Sequence, residues 1–135
     1  MIVVDASVVA AALMSQSAEG NWSEDLLTSE QLAAPALLPA EVANVLRRAA
    51  RAGDVSSDVA SLGHALLLEL EIELFPYRPV AERIWELQEN LSSYDAWYVA
   101  LAEALDAPLA TLDGRLRRAP GIRCEVVSPS RRPSA

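Results

Sequence analysis

Four acidic residues stand at positions where a stable core alone would not require an acid. Asp5 ends an apolar, β-branched run at the start of the chain, and Asp113 ends a second short apolar run. Glu41 and Asp95 each fall in the first turn of a predicted helix. Carboxylates that meet raise one another's pKa and oppose folding unless a cation lies between them. Because Mg²⁺ and Mn²⁺ prefer hard oxygen ligands, four such acids would suit metal-assisted hydrolysis of a phosphodiester.

Each acid also has a purely structural explanation. An acid in the first turn of a helix complements the helix dipole, which alone could account for Asp95 or Glu41. The pair Asp113-Gly114 could simply form a turn. Asp5 is the hardest to explain in this way, because it ends a strand that is otherwise apolar. All four together favour a shared function over four separate structural roles.

The helices and strands that carry these acids are predicted from hydrophobic periodicity and from the capping residues, glycines and prolines at their ends. Strands are predicted at 2–5, 32–34, 70–74, 109–112 and 126–127. Helices are predicted at 8–13, 18–29, 39–52, from 54 or 56 to 68, at 79–91 and at 94–105, with Ser7 and Ser93 as N-caps of the first and last. Strands alternating with helices predict an α/β fold with a mainly parallel sheet between helix layers.

This arrangement would bring the acids to one edge of the sheet. The helix that begins beside Asp95 is about 18 Å long at 1.5 Å per residue. The following strand, which ends at Asp113, spans about 17–20 Å at 3.3 Å per residue. The helix and the strand are therefore similar in length, so Asp95 and Asp113 should lie at the same edge of the sheet. If the sheet is parallel, Asp5 and the start of the Glu41 helix reach the same edge, where functional groups of α/β folds gather.

Composition limits the class of protein. The 135 residues, 52% of them hydrophobic, suit one globular domain, predicted at 1–128, followed by a flexible tail at 129–135. A single cysteine excludes an internal disulfide framework. No apolar run has the roughly 20 residues of a membrane helix, and the single cysteine makes a reduced, cytoplasmic protein the default expectation. The net charge of −8 argues against nucleic-acid binding through a general basic field.

Other phosphate chemistries fit the sequence less well. All 11 basic residues are arginine, which excludes any mechanism that needs a catalytic lysine, including that of receiver domains. A phosphoaspartate phosphatase would have a second Asp two residues after Asp5, where Ser7 stands. A nucleotide-binding domain would have a glycine-rich loop after the first strand, and this chain has none there. A binding module without catalysis, and DNA as the substrate, remain open.

Three segments together resemble a known family. VVDASVV, PAEVANVLRRAARAG and SSYDAWYVALAEALDAPLATLD, in this order, are similar to the PIN domain and, more narrowly, to VapC toxins of bacterial toxin–antitoxin pairs. The resemblance implies a three-layer α/β/α sandwich and a Mg²⁺-dependent endoribonuclease, with Mn²⁺ as a substitute, that cuts structured RNA such as tRNA or rRNA. It also implies a homodimer and a VapB-type antitoxin. A PIN-like RNA-processing nuclease outside such a pair is an alternative.

The resemblance assigns roles to individual residues. Asp5 and Asp95 would be the main metal ligands, with Glu41 and Asp113 acting through water or on a second ion. Three further residues would support the site: Ser7, Asn44 and Thr111. Water activated by the metal would attack phosphorus in line and leave a 5′-phosphate and a 3′-hydroxyl.

Arginines and aromatic residues could contact RNA, although most have simpler explanations. The candidates for RNA phosphates are Arg115, Arg117 and Arg118, which directly follow Asp113. Trp85, Trp97 and Tyr98 are interpreted as core or dimer-interface residues rather than as platforms for stacked bases.

Overall fold

The structure is a computed structural model that describes residues 1–129. The strands are β1 (Ile2–Val4), β2 (Leu32–Pro35), β3 (Ile72–Phe75), β4 (Leu109–Ala110) and β5 (Val126–Val127). The helices are α1 (Ala6–Met14), α2 (Ala18–Ser29), α3 (Leu38–Ala52), α4 (Ser57–Glu69), α5 (Ala81–Glu86), α6 (Ser93–Leu105) and α7 (Gly114–Arg118), with a 3₁₀ helix at Arg78–Val80. Apart from residue 129, the predicted tail lies outside the described residues.

The five strands form one parallel sheet in the order β3-β2-β1-β4-β5. Strand β1 occupies the centre, and Val3 is aligned with Ala33 of β2 and with Leu109 of β4. A central parallel strand is covered on both faces, which explains why Ile2–Val4 is apolar at every position rather than alternating.

Two groups of helices flank this sheet. Helices α1 to α4 pack on one another, whereas α6 packs on α5 and lies against β1 and β2. Helix α3 shows the apolar stripe that such packing requires, since Leu38, Val42 and Leu46 recur every four residues and are all buried. The predicted three-layer α/β/α sandwich with a parallel central sheet is therefore confirmed.

Both predicted N-caps are wrong, each by a residue or two. Asp5 caps α1, because its carboxylate accepts a hydrogen bond from the Val8 amide, while Ser7 is already inside the helix. Ser92 caps α6 through its hydroxyl, and Ser93 is the first helical residue. The chain is still extended at Asp5 and at Ser92, which is the backbone conformation that an N-cap requires.

The predicted helix at 79–91 is also wrong in its extent, since α5 ends at Glu86. The following residues form tight turns, in which the amide of Gln88 donates to Trp85 and the amide of Asn90 donates to Leu87, each at 3.2 Å. Leu87 is buried and its backbone has left the helical region, so the segment turns at this core contact instead of continuing. Trp85, interpreted as a core or interface residue, is 65% exposed.

A cluster of ion pairs joins α5 to the end of α6. Its members, called the Arg83 cluster below, are Arg83, Glu86, Glu103, Gly121 and Arg123. The Arg83 guanidinium donates to both oxygens of Glu103, at 2.7 and 3.2 Å, and to the Gly121 carbonyl at 2.7 Å. The Arg123 amide donates to Glu103 at 2.8 Å, and Arg83 also donates to Glu86 at 3.2 Å. The cluster therefore fixes the loop before β5 to two helices.

No helix within residues 1–129 is long and apolar enough to cross a lipid bilayer.

Candidate active site

The ends of β1 and β4 bring two parts of the candidate site together. Val4 is aligned with Ala110, and the Asp5 amide donates to the Ala110 carbonyl at 3.2 Å. Thr111, the next residue of the second segment, consequently lies beside Asp5, although 106 residues separate them in the sequence. Parallel pairing of the two strands is what places both at the carboxyl edge of the sheet.

Asp5 is almost completely buried, with 8% of its surface exposed. The Ser7 hydroxyl donates to Oδ1 at 2.5 Å, the Val8 amide donates to the same oxygen at 3.2 Å, and the Thr111 hydroxyl donates to Oδ2. Burial raises the pKa of Asp5, and these hydrogen bonds only partly oppose that effect. The carboxylate is thus held in one orientation by three hydrogen-bond donors.

The two hydroxyls also connect Asp5 to the segment between β4 and α7. Ser7 Oγ accepts a hydrogen bond from the Leu112 amide at 3.1 Å, and Thr111 Oγ1 accepts one from the Asp113 amide at 3.0 Å. Each hydroxyl therefore donates to Asp5 and accepts from the β4–α7 connection. The structure places Ser7 and Thr111 where the sequence predicts partners of the site.

Glu41 comes from α3 and is half-buried. The phenol of Tyr98, on α6, donates a hydrogen bond of 2.7 Å to its Oε1. Burial raises the pKa of Glu41, the Tyr98 hydrogen bond opposes the rise, and the charges of Asp95 and Asp5 add to it. Burial and the nearby Glu41 also raise the pKa of Tyr98, so the phenol keeps its proton and acts as a donor.

Asp95 lies in the first turn of α6, behind the Ser92 cap. Burial raises its pKa and repulsion from Asp113 adds to the rise, whereas Arg115 and the Ser92 hydroxyl lower it. The raised pKa values of Asp5, Glu41 and Asp95 have the same origin. Each carboxylate is partly removed from water, and for Glu41 and Asp95 a neighbouring acid adds repulsion.

Asp113 differs from the other three because it has a cationic partner. It caps α7 by accepting from the Arg115 amide at 3.0 Å, and the Arg115 guanidinium donates to Oδ2 at 2.8 Å. These hydrogen bonds hold the pKa of Asp113 below its ordinary value. Arg115 itself is largely exposed, so this ion pair faces solvent.

The four acids, called the acidic edge below, share one edge but do not form a closed cage. Repulsion links Asp5 to Glu41, Glu41 to Asp95, and Asp95 to Asp113. Within residues 1–129, no group of three or more metal-ligating side chains stands close enough to hold an ion as the side chains are oriented. Asp5 faces its hydroxyl donors and Asp113 faces Arg115, which explains the open arrangement. The donors are hard oxygens, so the set fits Mg²⁺ or Mn²⁺ with several waters.

The remaining predicted residues are less directly involved. Asn44 is exposed, one turn after Glu41. Arg117 donates to the Val126 carbonyl at 3.3 Å and to the Ser128 hydroxyl at 2.8 Å, which ties α7 to β5. Arg118 is exposed, and its charge contributes to the lowered pKa of Asp113. The charges of Arg115 and Arg118 therefore act on Asp113 of the acidic edge, whereas the guanidinium of Arg117 is hydrogen-bonded to Val126 and Ser128.

Tyr98 also contributes to this edge, although the sequence predicts it to be a core or dimer-interface residue. It is buried, as predicted for a core residue, but its hydroxyl reaches the acidic edge. The sequence does indicate that Tyr98 lies near Asp95, because the two residues are three positions apart and therefore share one face of α6. The contact with Glu41 depends on how α3 packs and has no signal in the sequence.

The family model described as the PIN domain matches residues 2–122. The chain belongs to the PIN-domain family. Ribonuclease VapC1 of Mycobacterium tuberculosis is 42% identical over 125 residues, which cover 92% of this chain and 94% of that relative. This PIN domain is therefore of the VapC type.

Solved structures give the same fold for the PIN domain. The crystal structure of VapC20 of Mycobacterium tuberculosis, described as a Sarcin–Ricin loop cleaving toxin, has a TM-score of 0.68 at 19% identity, covering 91% of this chain and 97% of that one. A chain in the crystal structure of VapBC2 from Rickettsia felis, bound to a promoter DNA fragment, also has a TM-score of 0.68, at 15% identity and with 96% and 100% covered. At these identities the likeness establishes the fold alone.

Proposed function

We propose that this PIN domain is a Mg²⁺-dependent endoribonuclease and the toxin of a VapBC-type toxin–antitoxin pair. The observation that carries the proposal is the buried carboxylate of Asp5, held by two hydroxyls at an edge where three more acids gather. An almost buried acid with a raised pKa is unfavourable for folding, which is typical of a functional site. The relative VapC1, named a ribonuclease, supports hydrolysis of RNA as the activity.

Asp5 and Asp95 would hold the metal ion in this proposal, and Glu41 and Asp113 would act through waters or on a second ion. When bound, the ion supplies a water of lowered pKa and positive charge for the phosphate oxygens and the leaving 3′-oxygen. Ser7 and Thr111 keep Asp5 in place through their hydrogen bonds. Arg115 and Arg118 are the candidates for binding RNA phosphates beside the acids, whereas Arg117 is engaged with β5.

The partners follow from the same assignment. The Rickettsia felis structure contains VapB together with VapC, which supports a VapB-type antitoxin as the partner of this chain. We further propose a homodimer, structured RNA such as tRNA or rRNA as substrate, and a cytoplasmic location, where both the RNA and the antitoxin are synthesised.

Cleavage of RNA by the protein free of antitoxin tests the activity. Total bacterial RNA is incubated with wild type, Asp5→Ala and Asp95→Ala, in Mg²⁺ or Mn²⁺ and in EDTA. The control is Asp58→Ala, because Asp58 also lies in the first turn of a helix but is exposed on α4. We expect discrete fragments with wild type and the control in metal only. Cleavage that survives EDTA or either site variant would contradict the proposed mechanism.

A binding module without catalysis is the second candidate. It is favoured by the ion pair between Asp113 and Arg115, which engages one acid of the edge with a cation of the protein itself. Under this alternative the purified wild type neither cleaves RNA nor binds Mn²⁺ in calorimetry, yet it still binds its partner.

A further inference from the structure

Tyr98 places a hydrogen-bond donor inside the acidic edge. Its side chain is 3% exposed, and its hydroxyl donates to Glu41 Oε1 at 2.7 Å. Asp95 and Tyr98 are three residues apart and lie on one face of α6. A single helix therefore carries both an acid of the edge and the donor that contacts an acid from α3.

The contact has a clear physical consequence for Glu41. A buried phenol needs an acceptor, so the Tyr98 hydroxyl has little freedom to leave. A glutamate side chain has several rotatable bonds, and fixing one of its oxygens removes much of its conformational freedom. With Oε1 engaged by the phenol, Oε2 is the oxygen left for a water or an ion. Hydrogen bonds to a ligating carboxylate commonly orient it and strengthen metal binding.

We propose that Tyr98 is a positioning residue whose phenol orients the Glu41 carboxylate and thereby strengthens divalent-cation binding at the acidic edge. The inference rests on the proposed function, because it assumes that the edge binds a cation. It adds a residue outside the four acids and their hydroxyl partners. A purely structural phenol would instead stabilise the contact between α3 and α6 and leave cation affinity unchanged.

Calorimetric titration with Mn²⁺ tests the proposal on antitoxin-free protein. The variants are Tyr98→Phe, which removes only the hydroxyl, and the matched control Tyr94→Phe, whose ring is exposed next to Asp95. We expect the affinity of Tyr98→Phe for Mn²⁺ to fall by about 10–100-fold, as for other outer-shell partners. Tyr94→Phe should stay within about two-fold of wild type. RNA cleavage by Tyr98→Phe should recover towards wild type at saturating Mn²⁺.

A double-variant cycle shows whether Tyr98 acts through Glu41. In a Glu41→Gln background, Tyr98→Phe should reduce Mn²⁺ affinity much less than it does in wild type. An equal reduction in both backgrounds, or unchanged affinity of Tyr98→Phe, would overturn this inference alone. A wild type that binds no Mn²⁺ and cleaves no RNA would overturn the proposed function as well, so the two failures are distinguishable.

A spectroscopic measurement covers the case in which Tyr98→Phe does not fold. The chain has 3 tyrosines, so 3-fluorotyrosine labelling gives a simple fluorine spectrum that Tyr77→Phe and Tyr94→Phe assign. Titration with Mg²⁺ should shift the Tyr98 resonance with the midpoint of the cation's binding, while Tyr77 remains unchanged. A Tyr98 resonance that does not respond to bound Mg²⁺ would contradict the proposal.

Discussion

Helix α6 carries an acid near each end, and the two acids lie in opposite environments. Asp95, in the first turn, has a raised pKa because of burial and of repulsion from Asp113. Glu103, in the last turn, is also affected by burial, but hydrogen bonds from Arg83 and from the Arg123 amide outweigh it and lower its pKa. One helix therefore joins an end where charge opposes folding to an end where charge supports it.

The Asp95 end of α6 therefore serves function, whereas the Glu103 end serves stability. At the Arg83 cluster the charges of Arg83, Glu86 and Glu103 each meet a partner of opposite sign, so these groups need no further ligand. At the acidic edge, Asp95 is repelled by Asp113, and the effects of Arg115 and of the Ser92 hydroxyl do not outweigh burial and this repulsion. Sites that bind a ligand often keep such unfavourable charge, and their substitution can increase stability while it removes activity.

The largest expected effect comes from Asp95→Asn, which keeps the shape and removes the charge. RNA cleavage should fall by more than about 100-fold, because loss of a ligand should exceed the effect of losing an outer-shell partner. The metal-free variant should nevertheless gain about 0.5–2 kcal/mol of stability at pH 7. A cleavage assay and denaturant unfolding in EDTA measure the two quantities. The control Asp58→Asn should change neither, and a destabilised Asp95→Asn would mean that its charge supports the fold.

Arg83→Ala should have the opposite effect, with reduced stability and nearly unchanged RNA cleavage. Since the variant leaves the partly buried carboxylate of Glu103 without its guanidinium, we expect a loss of about 2–3 kcal/mol of stability. Cleavage at a temperature where the variant is folded should remain within about two-fold of wild type. Denaturant unfolding and the cleavage assay measure both effects. Arg78→Ala, at an exposed arginine nearby, is the control, and a large loss of activity in Arg83→Ala would link the two ends of α6.

The pH dependence of stability should report on Glu103. Its pKa is below the ordinary 4.5 when folded, so its stabilising contribution is complete above pH 4.5 and is lost as the pH falls through the folded pKa. Glu103→Gln should therefore be less stable than wild type by about 1–2 kcal/mol at pH 7, and the difference should shrink below pH 4.5. Hydrogen bonds to Glu103 raise the pKa of Arg83, so Arg83 stays charged, and burial and Glu103 raise the pKa of the neighbouring Cys124 thiol.

Urea unfolding from pH 3 to pH 7 measures this dependence. The control is Glu89→Gln, at an exposed acid. Its difference in stability from wild type should stay constant from pH 3 to pH 7. A difference for Glu103→Gln that is constant across this range would mean that its charge is not what stabilises the cluster.

The smallest effect is expected for Arg115→Ala. If the guanidinium leaves Asp113 to bind an RNA phosphate, the variant should have a several-fold higher KM for RNA and a salt dependence of binding reduced by about one unit in slope. Arg51→Ala is the control, since Arg51 lies at the opposite end of α3 from Glu41. Titration of RNA binding at several salt concentrations measures the slope. An unchanged slope would show that Arg115 stays with Asp113 in the complex.

The position of the acids could be predicted from the sequence because strand direction determines it. Asp5 and Asp113 follow strands that are parallel neighbours, and the lengths of α6 and the next segment return Asp95 to the same edge. The orientation of the side chains could not be predicted. Whether Asp113 faces its fellow acids or Arg115 depends on local rotamers at the start of α7, which hydrophobic periodicity does not describe.

The Arg83 cluster could not be found from the sequence for a different reason. Its main hydrogen bonds join residues 20 and 38 positions apart, on helices and loops whose packing angles leave no periodic signal. The error at Ser92 and Ser93 is of a third kind. Two adjacent serines can each cap a helix, and only the backbone conformation decides between them.

The hydrogen bond from Thr111 to Asp5 has a consequence for the order of events during synthesis. Asp5 leaves the ribosome 106 residues before Thr111, and Asp113 follows two residues later. Domains fold only once their contacting segments have emerged. A nascent chain therefore lacks a complete acidic edge until Asp113 has emerged, and a product truncated before that residue never acquires one. The parallel pairing of β1 with β4 therefore delays a complete site until the β4 segment has been synthesised.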